Sequence, residues 1–183
     1  MDDRADVPHT PPNNPVVRQF VEHWGVMARA WGINSTMGEL FALLYISGED
    51  WTADDLRNWL GVSRGNVSMN LRELIAWGVV HKAHRQGERR EFFRAESDVW
   101  TLFRRILTER KRRELEPTLA VLSQTARALE DDVSPEVRAR VRPLLDFFGM
   151  INTLAERMLA LEPADLAEMG RLLGDLDLGP NRD

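Results

Sequence analysis

Apolar residues recur every three or four positions near the start of the chain, in the series Val17, Phe20, Val21, Trp24, Met27, Ala28 and Trp31. This spacing is typical of an amphipathic helix, and Gly32 predicts its end. Thr36 and Glu39 have the spacing of a capping box, so a second helix is expected to begin there and to run to Gly48. The first part of the chain is therefore predicted to hold two helices.

The next predicted helices are separated by a short connection. Thr52 and Asp55 resemble another capping box and predict a short helix that stops at Gly61. Ser63 is a good N-cap for a further helix over residues 64–77. So short a link makes the last helix cross the one before it at a steep angle and stand out from the body of the domain.

A β-hairpin is predicted to follow. Two β-prone runs, residues 79–84 and 91–95, flank six polar residues that include Gly87. This order of elements predicts a winged helix-turn-helix: two helices, a tight turn, a further helix and a hairpin. In that fold the last helix is the recognition helix and the hairpin is the wing.

Beyond the hairpin the pattern is helical again, with a helix over residues 98–130 and an expected kink at Pro117. Residues 134–136 carry the start of another helix, which Pro143 is expected to bend or split. Its apolar positions alternate spacings of four and three, in the series Val137, Val141, Leu144, Phe148, Ile151, Ala155 and Met158. This heptad seam needs a partner helix, from the same chain or from a second copy. A last helix is predicted over residues 164–176.

We therefore expect a mainly α fold with one small β-hairpin. Residues 1–15 are rich in proline and are predicted to be a disordered arm. Residues 16–97 form a winged helix-turn-helix domain with a leading helix, residues 98–177 a helical dimerisation region, and residues 178–183 a tail.

The charge of the chain is distributed unevenly, although the net charge is only −5. Residues 52–113 carry 14 basic and 8 acidic side chains, while the segments before and after it carry net charges of −4 and −7. A basic centre between acidic ends is typical of local phosphate contact, and a solvated charged surface is the alternative. The basic stretch Arg104–Arg113 is expected to touch flanking phosphate or to pair with the acids that follow it.

Several classes of protein are excluded or disfavoured. Cysteine is absent, which excludes disulfides, cysteine-ligated zinc and iron–sulfur sites. No segment is predicted to span a bilayer or to act as a secretory signal, so we expect a cytoplasmic protein. His81 and His84 would point to opposite faces of a strand, and no catalytic motif is present. We therefore expect neither catalysis nor a metal or cofactor.

The predicted recognition helix has one face suited to a DNA groove. At about 100° per residue, Val67, Leu71 and Leu74 would pack on the domain, and the opposite face is small and basic. Gly65 and Ser68 allow close approach, Met69 could meet a thymine methyl, and Arg72 can reach a guanine edge or a phosphate. We expect DNA contacts from Ser63, Arg64, Gly65, Asn66, Ser68, Met69 and Arg72, and from Lys82, Arg85, Arg89 and Arg90 on the wing. The alternative for the wing is an ordinary hairpin whose arginines keep an edge soluble.

Two stretches of this region resemble a known family. LGVSRGNVSMNLREL (residues 60–74), followed by WGVV (77–80), resembles the glycine-betaine-synthesis regulator (GbsR) branch of the MarR-type transcription factors. GERREFF (87–93) is similar to the wing of that branch, with Glu88 where MarR wings commonly carry aspartate, which keeps a carboxylate that can brace an arginine. The Leu-Thr-x-x-Gly signature that often follows such wings is missing. The resemblance implies a dimeric winged-helix repressor, and some members of the branch answer to choline or related osmolyte precursors.

One winged helix reads about half of a DNA site, so a homodimer is expected. The predicted dimer residues are Phe20, Trp24, Leu102, Phe103, Ile106, Val141, Leu144, Phe148, Ile151 and Met158. Trp24, Trp31 and Trp100 are candidates for an aromatic cage around a quaternary ammonium effector, with core packing as the alternative. The function expected is that of a DNA-binding regulator with small-molecule-modulated binding. The alternative is a winged helix that serves as a protein-interaction module in a larger complex.

Overall fold

A computed structural model describes residues 14–128 and 135–175. The elements are α1 (Pro15–Ala30), α2 (Ser35–Ser47), β1 (Trp51–Thr52), α3 (Ala53–Leu60), α4 (Arg64–Ala76), β2 (Val80–Ala83), β3 (Phe92–Ala95), α5 (Val99–Arg110), a π-helical turn (Lys111–Leu115), α6 (Glu116–Ala128), α7 (Pro135–Ala160) and α8 (Pro163–Asp175). The chain divides into two compact units, and the division falls between Leu102 and Phe103, inside α5.

The first unit is a winged helix-turn-helix with a three-stranded antiparallel sheet in the order β1-β3-β2. The hairpin of β2 and β3 is the predicted wing, and Val80 lies opposite Ala95. Strand β1 was not predicted: its two residues, Trp51 and Thr52, pair with Phe93 and Phe92. A strand of two residues is too short to show the alternation that identifies a strand in a sequence.

The core of this unit lies between α1, α2, α3, α4 and the sheet. Its largest fully buried side chains are Leu40, Leu43, Leu44, Leu56, Leu71, Val21, Val67 and Val80. Burial of each such side chain contributes about 1.5–3 kcal/mol relative to exposure. The sheet adds Phe92 and Phe93, both of which are buried. The helix-turn-helix and the wing are therefore held on one common core.

The helix ends follow from side-chain caps, with one correction to the prediction. The capping box of Thr52 and Asp55 is present. The cap of α2, however, is Asn34 and not Thr36: the Asn34 side chain accepts hydrogen bonds from the backbone N–H groups of Thr36 and Met37. Asparagine is the stronger cap, so the helix begins earlier. Between α3 and α4, Gly61 has φ of 68°, a conformation that glycine adopts without strain.

The predicted N-terminal arm falls mostly outside the described residues, as does the tail at 178–183. The last residue of the predicted arm, Pro15, was assigned wrongly, because it is the first residue of α1, and Asn14 is the N-cap of that helix. Proline at the first turn needs no hydrogen-bond donor and has the φ value that a helix requires.

The second unit is helical throughout its described residues. The expected break at Pro117 takes the form of the π-helical turn, in which the Glu116 N–H reaches back to the Lys111 carbonyl. Proline has no N–H to donate to the preceding turn, which disfavours regular α-helical bonding there. Helix α7 begins at Pro135, as predicted, and runs through Pro143 without being split. No helix in either described range has both the length and the apolar character needed to cross a bilayer.

Candidate nucleic-acid interface

Helix α4 has a buried face and an exposed face, as its periodicity predicts. Val67, Leu71 and Leu74 are buried against the domain. On the opposite side Gly65 and Arg72 are exposed, Met69 is 55% exposed and Ser68 is half-buried. The Ser63 hydroxyl accepts a hydrogen bond from the backbone N–H of Asn66 at 3.2 Å, so the predicted cap is confirmed.

The exposed face of α4 borders a groove of about 580 Å³. Its other walls are the first turn of α3 and the paired strands of the wing. The charged side chains that line it are Asp54, Asp55, Arg64, Arg72, Lys82, Arg90 and Glu91. Four cations and three carboxylates therefore meet in one groove, and the cations lie on α4 and the wing.

Asn66 lies on the first turn of α4, but its side chain is turned into the domain. Its amide donates a hydrogen bond to the Thr36 hydroxyl at 3.3 Å and accepts one from Asn70 at 2.6 Å. Asn70 is buried and also donates to the Asn66 carbonyl at 2.9 Å. The Asn66 amide is thus occupied by α2 and α4, and its predicted part in DNA contact stays a prediction.

The Arg72 side chain is exposed but anchored at its base. Its Nε donates a hydrogen bond to the Ser68 carbonyl, one turn earlier, at 3.1 Å. This contact fixes the stem of the side chain and leaves the guanidinium at the groove that Arg72 lines. An anchored guanidinium can present two parallel donors to an acceptor pair.

The wing turns at Gly87, whose φ is 85°. Next to it, the Glu88 carboxylate accepts two hydrogen bonds from Arg90, at 3.0 and 2.9 Å. These hydrogen bonds hold the pKa of the Glu88 carboxyl below its ordinary value. The carboxylate therefore braces a neighbouring arginine, as expected for a residue at this place in the wing.

The remaining predicted wing cations differ in how they are paired. Lys82 forms an ion pair with Glu91 across the hairpin at 2.5 Å. Arg89 is exposed, and its side chain has no ion pair or hydrogen bond with the part of the chain that the structure describes. The same holds for Arg64 on α4. Like Arg72, whose recorded contact is with the Ser68 carbonyl, Arg64 and Arg89 therefore have no recorded carboxylate partner among the described residues.

Asp50 is a residue of this region that the sequence pattern did not reveal. It directly precedes β1, its side chain is only 11% exposed, and it accepts hydrogen bonds from Arg94 at 2.6 Å and from Arg85 at 3.4 Å. The partners lie 44 and 35 residues away along the chain. Periodicity within one element cannot show such a contact. Only the pairing of β1 with β3 brings Asp50 next to Arg94, and β1 was not predicted.

The three tryptophans predicted to bind an effector occupy different surroundings in the first unit. Trp24 is half-buried, and its ring contacts Phe20 at a centroid distance of 5.8 Å and Phe41 at 6.1 Å. Trp31 is 54% exposed, and Trp100 is half-buried. Within the described ranges, no group of three His, Asp or Glu residues is arranged to hold a metal ion.

The residues predicted to form a dimer also differ in burial. Leu102 is 7% exposed in the single chain, and its predicted part in a dimer interface stays a prediction. Phe148 and Ile151 are half-buried and line a second groove, of about 300 Å³, together with Ala155. Leu144 is 50% exposed. Phe20, Trp24, Phe103, Ile106, Val141 and Met158 are half-buried.

The basic stretch Arg104–Arg113 is largely paired with acids of its own chain. Glu109 pairs with Arg112 and Arg113, and Lys111 pairs with Glu116 and Glu156. Arg110 pairs with Glu114, and Arg104 lies 3.8 Å from Glu162. Most of these acids belong to the acidic segment after residue 113, which favours intramolecular pairing over phosphate contact.

Comparison with known proteins connects this architecture to regulators. No family model matches the chain. The HTH-type transcriptional regulator MmpR5 of Mycobacterium tuberculosis is 25% identical over 146 residues, covering 79% of this chain and 86% of that protein. A solved structure described as a transcriptional regulator matches with a TM-score of 0.62 at 24% identity, covering 79% of this chain and 96% of the other. The chain has the winged helix-turn-helix fold.

The relatives include a member of the branch that the sequence resembles. The HTH-type transcriptional repressor GbsR of Bacillus subtilis is 24% identical over 138 residues, covering 69% of this chain and 76% of the repressor. MmpR5 is similar to nearly the same degree, at 25%. The chain is therefore similar to HTH-type transcriptional regulators, and these identities do not single out the GbsR branch.

Proposed function

We propose that this protein is a sequence-specific, double-stranded DNA-binding transcriptional regulator that acts as a homodimeric repressor. The observation that carries the proposal is the asymmetry of α4. One face is buried on the domain core, and the other face exposes Gly65, Met69 and Arg72. Arg72 also lines the neighbouring groove, where four cations from α4 and the wing lie with three carboxylates. Relatives named as regulators and a repressor support it.

In this proposal the exposed face of α4 reads base edges in the major groove. Gly65 has no heavy atom within 4 Å of where a Cβ would lie, so the backbone there is open to a close approach. Met69 offers an apolar tip for a thymine methyl. Arg72, anchored by Ser68, presents a planar fork that fits the O6 and N7 acceptors of guanine.

Phosphate contact falls to the cations around this face. Arg64 flanks the first turn of α4, where the helix dipole and its N–H groups favour an anion. Arg89 lies at the tip of the wing beside Gly87, which suits it to the strand or minor groove next to the recognition helix. These contacts supply affinity and orientation, whereas those of α4 supply the base preference.

The second unit supports a homodimer. Its helix α7 carries an apolar stripe, Phe147, Met150 and Leu154, whose members are between 52% and 59% exposed. A stripe this exposed on a long helix fits burial against a second copy. A second copy would also supply the second half-site reader that a pseudo-palindromic operator requires.

Modulation by a small molecule, of the choline type that the resemblance implies, belongs to the same proposal. Trp24 contributes a ring that already contacts two other aromatic residues, which is a partial aromatic environment for a cation. Trp31 and Trp100 stay candidates for the rest of the site. A regulator of this kind would act where the chromosome lies, in the cytoplasm, and would perform no catalysis.

The test begins with selection of bound fragments from genomic DNA by the purified full chain. A mobility-shift salt titration on the selected site should then give a slope of about −0.9 per phosphate contacted. Arg72→Ala should cost about 1–3 kcal/mol and relax base preference at one position. Arg89→Ala, the matched control for charge, should weaken binding to all sequences alike.

Two outcomes contradict the proposal. If no genomic fragment is bound, and the chain instead purifies in fixed stoichiometry with another protein, the winged helix is a protein-interaction module. If Arg72→Ala and Arg89→Ala lose base preference equally, the division between reading and anchoring is wrong.

A further inference from the structure

Asp50, which lies outside the wing and directly precedes β1, contacts one residue of strand β3 and one residue of the wing loop. Its Oδ1 accepts a hydrogen bond from Nε of Arg94 on β3 at 2.6 Å, and its Oδ2 accepts one from Nε of Arg85, in the loop after β2, at 3.4 Å. Its side chain is 11% exposed, so the carboxylate is largely removed from water. Arg85 and Arg94 are 36% and 56% exposed, so both pairs are shielded from water on the carboxylate side only.

Arg85 is held from a second direction as well. Its guanidinium carbon lies 4.5 Å from the centroid of the Phe92 ring, and Phe92 is buried in β3. Phe92 pairs with Ala83 in the hairpin register, so Arg85 lies just past the last paired residue of β2. Both the ion pair and the ring contact fix the base of the wing loop.

We infer that Asp50 is a positioning residue for the wing and that Arg85 acts with it as a structural brace rather than as a phosphate contact. This inference rests on the proposed DNA-binding function. It divides the wing arginines into two kinds: Arg85 is committed to Asp50 and Phe92, and Arg89 at the tip is left for DNA. Composition alone makes these two arginines equivalent, and the structure distinguishes them.

The division has a consequence for the salt dependence of binding. Each cation that neutralises a phosphate adds about 0.9 to the slope of log K against log salt concentration. Arg89→Ala should therefore flatten the slope by about 0.9. Arg85→Ala removes the same charge from the same loop but no phosphate contact. Because Asp50 still holds the wing through Arg94, Arg89 should keep its contact and the slope should stay unchanged. A simple loss of wing charge would give the two variants the same slope.

Asp50 itself gives a test that depends on the sign of the effect. Removal of an acidic charge near DNA raises affinity for any sequence by electrostatics alone. Electrostatics alone leaves the ratio of specific to non-specific affinity unchanged. If Asp50 positions the wing, Asp50→Asn should lower this ratio by about tenfold. It should also steepen the salt slope by about 0.9 for each arginine that it releases to phosphate.

Asp54→Asn is the matched control. Asp54 lines the groove between α4 and the wing, has a 63% exposed side chain, and pairs only with Arg57, at 3.6 Å, among the ion pairs recorded for the described residues. It should raise affinity for specific and non-specific DNA together and leave their ratio unchanged. Circular dichroism spectra that match the unmutated chain show that each variant is folded.

The results separate the inference from the proposed function. If the unmutated chain binds no DNA, the proposed function fails. If it binds DNA, two findings overturn the inference alone: Arg85→Ala flattens the salt slope as much as Arg89→Ala does, or Asp50→Asn behaves like Asp54→Asn. A slope unchanged in Arg85→Ala, with a narrowed specificity ratio in Asp50→Asn, supports it.

Discussion

The two units of this chain bury their hydrophobic side chains to very different extents. Of the 19 buried hydrophobic residues among those described, 18 lie at or before Leu102, and only Ala155 lies beyond it. In the first unit, a single helix, α2, already contributes three leucines at 0% exposure: Leu40, Leu43 and Leu44. The winged-helix unit therefore has a core of its own, whereas among the described side chains of the helical unit beyond Leu102 only Ala155 is a buried hydrophobic residue.

Helix α7 shows where the rest of the helical unit's core would form. One side of it carries Phe148, Ile151 and Ala155, which line the groove next to the π-helical turn and α6. The adjacent side carries the exposed stripe of Phe147, Met150 and Leu154. The apolar arc of this helix is thus wider than one neighbouring helix covers, and burial of the exposed part requires a further surface. In the proposed homodimer, the first unit of each chain would supply the surface that reads DNA, and the exposed stripe of α7 would supply the contact between the copies.

The largest expected effect comes from substitutions that truncate leucine in each unit. Leu43→Ala should lower the free energy of unfolding of the first unit by about 2–5 kcal/mol, because it leaves a cavity in a fully buried site. Leu154→Ala, the same chemical change at a site that is 53% exposed in the single chain, should cost far less when the protein is dilute enough to be monomeric.

Urea unfolding can follow the two units separately. All six tryptophans lie at or before Trp100, so tryptophan fluorescence reports on the first unit, whereas circular dichroism reports on the helices of both. An equal loss of stability in the two variants at low protein concentration would contradict the comparison.

The next effect concerns assembly. Phe147→Glu combined with Leu154→Glu places two charges in the exposed stripe of α7 and should abolish the dimer, because a buried, unpaired carboxylate is costly. Affinity for a site with two half-sites should fall by about 100-fold through loss of avidity, while affinity for a single half-site stays the same. Light scattering and mobility shifts measure the two quantities.

Val26→Glu provides the control for that variant. Val26 is 61% exposed on α1 and lies away from the buried face formed by Val21, Gly25 and Ala28. The Val26→Glu variant should have the same oligomeric state as the unmutated chain. A dimer that persists in the double variant would show that the stripe on α7 is not the interface.

The sequence predicted the first unit better than the second, for a physical reason. Helix α4 packs on the core with one face only, so Val67, Leu71 and Leu74 show a clean period of 3.6. The contacts of Asp50 with Arg85 and Arg94 join residues far apart in the chain, and no local pattern encodes them. The inward turn of Asn66 depends likewise on Thr36, which lies 30 residues away.

In the second unit, local signals were correct but incomplete. Pro117 predicted a break, and only the structure shows that the break is a π-helical turn at Lys111–Leu115. The heptad seam of α7 left open whether its partner is in the same chain. In the structure, Phe148 and Ile151 of this seam line a groove within the unit, whereas the neighbouring Phe147 and Met150 are exposed. A helix with two apolar sides cannot be assigned from one periodicity.

The smallest expected effect is the response of the two units to acid. Hydrogen bonds from Arg112 and Arg113 hold the pKa of Glu109 in the second unit below its ordinary value. Glu109 therefore contributes stability at neutral pH that is lost as the pH falls through the ordinary pKa of a glutamate and then through the lowered one. Burial raises the pKa of Glu39 in the first unit, so Glu39 changes stability with pH in the opposite direction to Glu109. The protonated Glu39 favours the folded state at low pH, and this contribution to stability is lost as the pH rises through the raised pKa.

Acid should thus weaken the helical unit through Glu109, whereas in the first unit Glu39 opposes the loss that Glu88 on the wing contributes. Glu109→Gln should remove this pH dependence from the circular dichroism melt and leave the fluorescence melt unchanged. The effect should stay below about 1 kcal/mol, because Arg112 and Arg113 are 59% and 41% exposed and solvent screens both pairs. If the two melts shift together with pH in both proteins, Glu109 does not distinguish the units and the acid response belongs to the chain as a whole.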